Sequence, residues 1–209
     1  MKHHLIRWIV LLAIGFGIGS IIGLYQGIEE QNIENISLSP DDKKITKDEE
    51  KYSFSLIDHN GKEVTQDSYS STYKLIFFGF ASCPAICPTE LQKINVIMSE
   101  LGDLSDKITP IFISVDPERD TVEVMKEYVA QFNPKLVGLT GSQEQIDAAK
   151  KAFHVFARKV ENDMMDSYMM DHSSFLYFMD KDNKLVAMYP AKDSAVNITS
   201  DIKPYLIDK

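Results

Sequence analysis

Hydrophobic and polar positions divide the chain into three stretches. From Trp8 to Ile28 there are 21 residues without a charge. At about 1.5 Å rise per residue, a helix of that length crosses the roughly 30 Å hydrocarbon layer of a bilayer, so the pattern predicts a transmembrane helix over 8–28. Residues 29–51 are dominated by Asp, Glu, Lys, Asn and Ser, with isolated Ile and Leu at no useful period, and read as a flexible tether. From Tyr52 the pattern becomes that of packed elements, so 52–209 is expected to be the folded domain.

Within that domain, Phe54–Asp58 and Lys62–Thr65 flank His59-Asn60-Gly61. Asn-Gly tolerates the positive φ of a tight hairpin, which predicts strand, turn, strand. The unbroken apolar run Leu75–Phe80 predicts a strand covered on both faces at the sheet centre. Ile111–Val115, Leu136–Thr140, Phe175–Met179 and Leu185–Tyr189 are further strand candidates. Between them lie three sets: Leu91, Ile94, Met98 and Leu101; Val122, Met125, Val129 and Phe132; Ile146, Ala149, Phe153 and Phe156. Each repeats at i, i+3, i+7, i+10, one face of an α-helix. Asp120 with Glu123 and Ser142 with Gln145 supply the side-chain cap and the acceptor three residues on that mark helix starts. A last helix is expected over 194–207. Strands alternating with amphipathic helices define an α/β domain, a largely parallel or mixed sheet with helices on both faces.

Charge adds an orientation. Lys2 and Arg7 precede the apolar stretch while Glu29 and Glu30 follow it, so the positive-inside rule places 1–7 in the cytoplasm and the folded domain across the membrane. The stretch exceeds a signal-peptide h-region and no small-x-small cleavage site follows, which favours a retained anchor. Gly15, Gly19, Gly23 and Gly27 form a stripe that a second helix could approach, giving a weak homodimer as an expectation. The plainer reading is that glycine is common in membrane helices. A net charge of -9 and the absence of any Lys/Arg-rich run leave no electrostatic basis for binding nucleic acid.

The chain has two cysteines, Cys83 and Cys87, too close together to brace a fold, so their value is chemical. If their turn is helical, both sulfurs face one side and can grip one ion. Pro84 and Pro88 are tolerated only in a first helical turn and pin a helix start there. A helix N-terminus favours the thiolate, which is both the metal-binding and the redox-active form. Of the five histidines, His3 and His4 precede the span, His59 fits the hairpin turn and His154 lies within the third helical pattern. His172 follows Asp171 in a predicted loop, 164–174, immediately before a strand, and is the candidate third ligand; an ordinary loop histidine is the alternative. Asp171 either orients the imidazole or is a surface acid. Two thiolates and an imidazole accept Cu(I) or Zn(II). No general-base Glu, Ser/His/Asp set or phosphate-cradling Gly loop accompanies them, which suits an ion that is received and handed on better than it suits an enzyme.

The run Gly79-Phe80 through Cys83-Pro84-Ala85-Ile86-Cys87-Pro88, the segment Ile113–Thr121, the stretch Leu136–Gly141 and the pair Asp171-His172 together resemble the Sco/SenC family over roughly 52–207. The resemblance implies a thioredoxin-like fold, a central sheet flanked by helices behind one N-terminal transmembrane helix, and copper held by Cys83, Cys87 and His172. It further implies a metallochaperone for the binuclear copper site of cytochrome c oxidase. Its partners would be the copper-bearing oxidase subunit and a copper donor protein. The protein would be a single-pass inner membrane protein with its soluble domain in the periplasm, or in the intermembrane space of a mitochondrion. The alternative is a thiol:disulfide oxidoreductase that uses the same cysteine pair to reduce the thiols of the oxidase site. Two features depart from the resemblance. Ala85 stands where the family often has an acid, and Met164, Met165, Met169 and Met170 crowd the segment before His172; these methionines are read as packing residues outside the site. Asp116 is read as a turn residue without a metal role.

Overall fold

The computed structural model describes residues 52–162 and 167–207. The expected span over 8–28 and the tether over 29–51 lie outside the described residues. Among the described residues no helix is long and apolar enough to cross a membrane.

The hairpin forms as its turn chemistry requires. Strands β1 (Ser55–Asp58) and β2 (Glu63–Thr65) pair antiparallel with Leu56 opposite Val64. Gly61 takes φ +82° and its N–H donates to the Asp58 carbonyl at 2.8 Å. The Asp58 carboxylate accepts from the N–H groups of Asn60 and Lys62 at 2.8 and 2.9 Å.

The apolar run becomes β3 (Tyr73–Gly79), buried along its whole length. It pairs parallel with β4 (Ile108–Ser114) and antiparallel with β8 (Phe175–Met179). Strands β5 (Val137–Thr140) and β9 (Leu185–Pro190) complete a seven-stranded mixed sheet in the order β2-β1-β5-β4-β3-β8-β9. Helices α1 (Ile86–Leu101), α2 (Val122–Val129), α3 (Gln143–Ala152) and α4 (Ala195–Ile207) flank it. Alternation along β3 divides its side chains between two faces. On one, Phe77 meets Phe112 and Tyr73 stacks on Phe178, which meets Tyr205 of α4. On the other, Phe78 meets Phe153, beside the end of α3, at 5.2 Å between ring centres. The β3-α1-β4 crossover, the antiparallel β8-β9 pair and the closing helix give the strand order β4-β3-β8-β9 of a thioredoxin-like core. The α/β class with helices on both faces stands as expected.

Four local readings are corrected. Thr121, not Asp120, caps α2, its hydroxyl accepting from the Val124 N–H. The third apolar pattern outruns its helix: α3 ends at Ala152, the chain turns through His154 at φ 53°, and Phe156 is exposed. The second does likewise, α2 closing at Val129 before Phe132. The predicted loop over 164–174 is largely strand: β7 (Ser167–His172) pairs antiparallel with β6 (Ala157–Asn162) in a separate two-stranded sheet. Charged and polar residues interrupt any period-two pattern in these strands, because neither joins the main sheet with a face to bury.

Candidate metal centre

The cysteines sit where the parallel strand β3 ends and α1 begins, the end at which open α/β sheets gather their sites. Cys83 lies in the turn before the helix and Cys87 in its first turn, so the prolines set the helix start as expected. Without a side-chain oxygen at the N-cap Ala85, the Cys83 sulfur takes that place, accepting the Cys87 N–H at 3.4 Å. Both cysteines are free thiols. Cys83 is half-buried, whereas Cys87 has 0% exposure.

Cys87 can lie so deep because residue 79 has no side chain. A β-carbon there would stand 2.7 Å from the Cys87 sulfur and 2.9 Å from the Phe112 ring. The glycine that interrupts the apolar run is therefore a packing requirement of the site.

His172, at the last position of β7, reaches the same point. Its Nε2 lies 3.7 Å from the Cys87 sulfur. Its Nδ1 is 2.9 Å from the Ser173 carbonyl, which can only accept, so Nδ1 carries the proton and Nε2 keeps its lone pair facing the thiols. Of the two readings of Asp171, the surface acid holds: it pairs with Arg158 at 3.2 Å. The imidazole edge meets the rings of Phe80 and Phe77 at 5.8 and 6.3 Å, which restrict its swing. Among the described residues no group of three or more His, Cys, Asp or Glu side chains is already arranged to hold a metal ion. What stands there is a set of two hydrogen-bonded sulfurs and an imidazole.

The pair divides its protons unequally. The Cys87 thiol donates to Cys83, the N–H groups of Cys87 and Ala85 add support, and these outweigh burial to hold the Cys83 thiol far below its usual range, at about 3. Donation to Cys83 and burial push Cys87 well above the thiol range. Cys83 is thus the thiolate and Cys87 the proton-bearing partner. Charge settles on Cys83 because two backbone donors and solvent reach it, while Cys87 is sealed in the core.

Three residues of the segment after β4 support this arrangement, and sequence reading missed their roles. Asp116 is a buried anchor, 1% exposed: its carboxylate accepts from Arg119 Nε at 2.5 Å and from the Tyr168 hydroxyl at 2.7 Å. Arg119 also donates to the Tyr168 carbonyl at 2.9 Å, and its guanidinium lies 3.9 Å over the Tyr168 ring and 5.6 Å from the Phe80 ring. It ties β7, which carries His172, to the strand end that leads into the cysteine turn. Asp120 is turned inward, accepting from Ser114 Oγ at 2.6 Å and from the Ala81 N–H at 3.1 Å. Burial raises its carboxyl to about 6. Charged residues after a strand look like surface turn chemistry, and only the packed hairpin shows otherwise. His59 is structural as expected, its Nδ1 accepting from the Gly138 N–H at 3.0 Å.

Fold and site together define a thioredoxin-like domain with a pair of unequal thiols and a histidine at the carboxyl end of a central strand. The SCO1/SenC family model matches residues 42–207, and the chain belongs to that family. The SCO2-like protein of Rickettsia felis is 36% identical over 206 residues, covering 97% of this chain and 98% of its own. Bradyrhizobium japonicum ScoI, solved with copper bound, is 40% identical with a TM-score of 0.67, covering 73% of this chain and 97% of its own. BsSco, a member of the Sco family of cytochrome c oxidase assembly proteins in which a disulfide switch is identified, is 27% identical with a TM-score of 0.57, covering 75% and 93%.

Proposed function

We propose that this protein is a membrane-anchored copper metallochaperone that binds copper through Cys83, Cys87 and His172 and serves assembly of the binuclear copper site of cytochrome c oxidase. The observation that carries the reading is the 3.7 Å approach of His172 Nε2 to the Cys87 sulfur across 85 residues of chain. Bonds of about 2.3 Å to sulfur and about 2.0 Å to nitrogen, at about 120°, separate those two atoms by about 3.7 Å, whereas a linear two-coordinate ion would need about 4.3 Å. The separation suits a trigonal soft ion, the third position falling to the half-buried Cys83, which already hydrogen-bonds with Cys87. Thiolates with imidazole favour Cu(I) over harder ions. The copper bound in ScoI of B. japonicum and the oxidase-assembly role of BsSco support the cargo and the client. The uncharged stretch over 8–28, with Lys2 and Arg7 before it, supports a single span, the domain lying in the periplasm or intermembrane space.

The test is X-ray absorption on the copper-loaded protein. Two sulfur neighbours and one nitrogen are expected, and His172→Ala should remove the nitrogen and weaken copper binding by about tenfold or more. Undiminished affinity in that variant refutes the ligand set.

A second reading rests on the unequal thiols. The Cys83 thiolate would attack a disulfide of the oxidase site, releasing one client thiolate and forming a mixed disulfide. The Cys87 thiol, after losing its proton, would displace the second client sulfur, leaving the client reduced by two electrons and Cys83 bonded to Cys87. The disulfide switch in BsSco supports it. Here His172→Ala should leave client reduction intact, which separates the two roles.

A further inference from the structure

Cys87 has 0% exposure, so an ion arriving from solvent must first pass the groups that line the approach to it. A cavity of about 230 Å³ borders its two partners, walled by Cys83, Ile86, Met169, Met170 and His172, among others. Both methionines are half-buried and packed against the core. Consecutive strand residues point to opposite sides, so a cavity lined by both opens along the edge of β7, the strand that pairs only with β6 among the described residues. The Asp171 carboxylate, also at this wall, is occupied by Arg158 at 3.2 Å. Among the described residues, the soft donors left in this wall beyond Cys83 and His172 are the two thioethers.

We infer that Met169 and Met170 form an outer, transient Cu(I) site that receives the ion and passes it to Cys83, Cys87 and His172. This rests on the metallochaperone reading above and names the path by which the buried half of its site is filled. Thioethers bind Cu(I) without charge or proton exchange and hold Zn(II) and Cu(II) poorly, so the outer site also selects the oxidation state. The transfer is ligand exchange at constant oxidation state. A thioether lone pair leaves the metal as the Cys83 thiolate takes its place, and the Cys87 thiol releases one proton to water as its sulfur closes on the ion. No electron moves. The half-exposed Cys83 is reached from the cavity first and Cys87 last, and each intermediate keeps at least two soft donors.

The experiment uses the full chain in detergent with methionine methyl groups labelled with carbon-13, the two resonances being assigned by Met169→Leu and Met170→Leu. In a Cys83→Ser/Cys87→Ser variant, Cu(I) supplied as its acetonitrile complex should shift these two methyl resonances, while Zn(II) should not. In the chain with both cysteines, Met169→Leu/Met170→Leu should slow formation of the thiolate–copper absorption by roughly fivefold or more while changing copper affinity by less than about threefold, since an outer site lowers a barrier and not the final state. Silent methyls, or loading within about twofold of the parent rate, overturn the inference while normal thiolate–copper absorption leaves the metallochaperone reading standing. Absence of that absorption in the unaltered chain overturns the metallochaperone reading itself.

Discussion

Gly79 offers the sharpest perturbation of the site, because one added carbon strikes the deep cysteine directly. In Gly79→Ala the new methyl would lie 2.7 Å from the Cys87 sulfur, 2.9 Å from Phe112 and 3.1 Å from Phe77. Relief to an ordinary contact requires about 1 Å of movement. The two rings cannot supply it, since Phe77 and Phe112 are both 0% exposed and belong to the central core. The Cys87 side chain must turn away, or β3 and α1 must separate. Overpacking of this kind costs about 1–3 kcal/mol, and with three close contacts at one atom the upper half of that range is expected, to be read by urea unfolding of the reduced protein. The 3.7 Å approach of His172 to Cys87 is lost in either relaxation, so copper affinity should fall by roughly 10–100-fold, the effect of disturbing groups that orient metal ligands, as measured by competition with a Cu(I) chelator. Stability and affinity both within error of the parent would refute the claim that the glycine makes room for the deep ligand.

Three further outcomes follow from the supporting residues. Arg119→Lys keeps the charge but loses the forked contact with the buried Asp116 and the Tyr168 carbonyl; it should cost about 1.5–3 kcal/mol and raise hydrogen exchange selectively in β6 and β7. Asp120 keeps its proton in the folded state to about pH 6 against an ordinary 3.8, so its contribution is complete below the lower value and lost as pH rises through the higher. The parent should therefore lose roughly 3 kcal/mol relative to Asp120→Asn between about pH 4 and 6.5, read as the difference between two denaturation series; parallel curves would refute the assignment. Ser142→Ala removes one half of the capping box that opens α3 and should cost about 1 kcal/mol in thermal or urea unfolding.

Much of the fold is legible because its signals are local. The Leu75–Phe80 run, the Asn60-Gly61 turn and the spacing of Leu91, Ile94, Met98 and Leu101 identify β3, the first hairpin and α1 correctly, since period and turn chemistry depend on neighbours a few residues away. The same signals overreach where tertiary context decides the end of an element. Phe156 continues a helical period past α3, yet the chain has already turned at His154. Asp120 has a capping residue's chemistry but is buried beneath the cysteine turn. Strands β6 and β7 went unread because a two-stranded ribbon outside the main sheet shows no alternation.

The chain alone determined the thiol pair, the helix start that activates it and the candidacy of His172, because proline constraints, sulfur chemistry and strand ends are properties of short segments. Only the tertiary structure decided that the imidazole meets the deeper sulfur with its unprotonated nitrogen, that Asp116 and Arg119 hold its strand in place, and that one sulfur is half-buried while the other is sealed. Those facts depend on contacts closed across dozens of residues. Their entropy cost is met by the core as a whole, so no local pattern needs to record them.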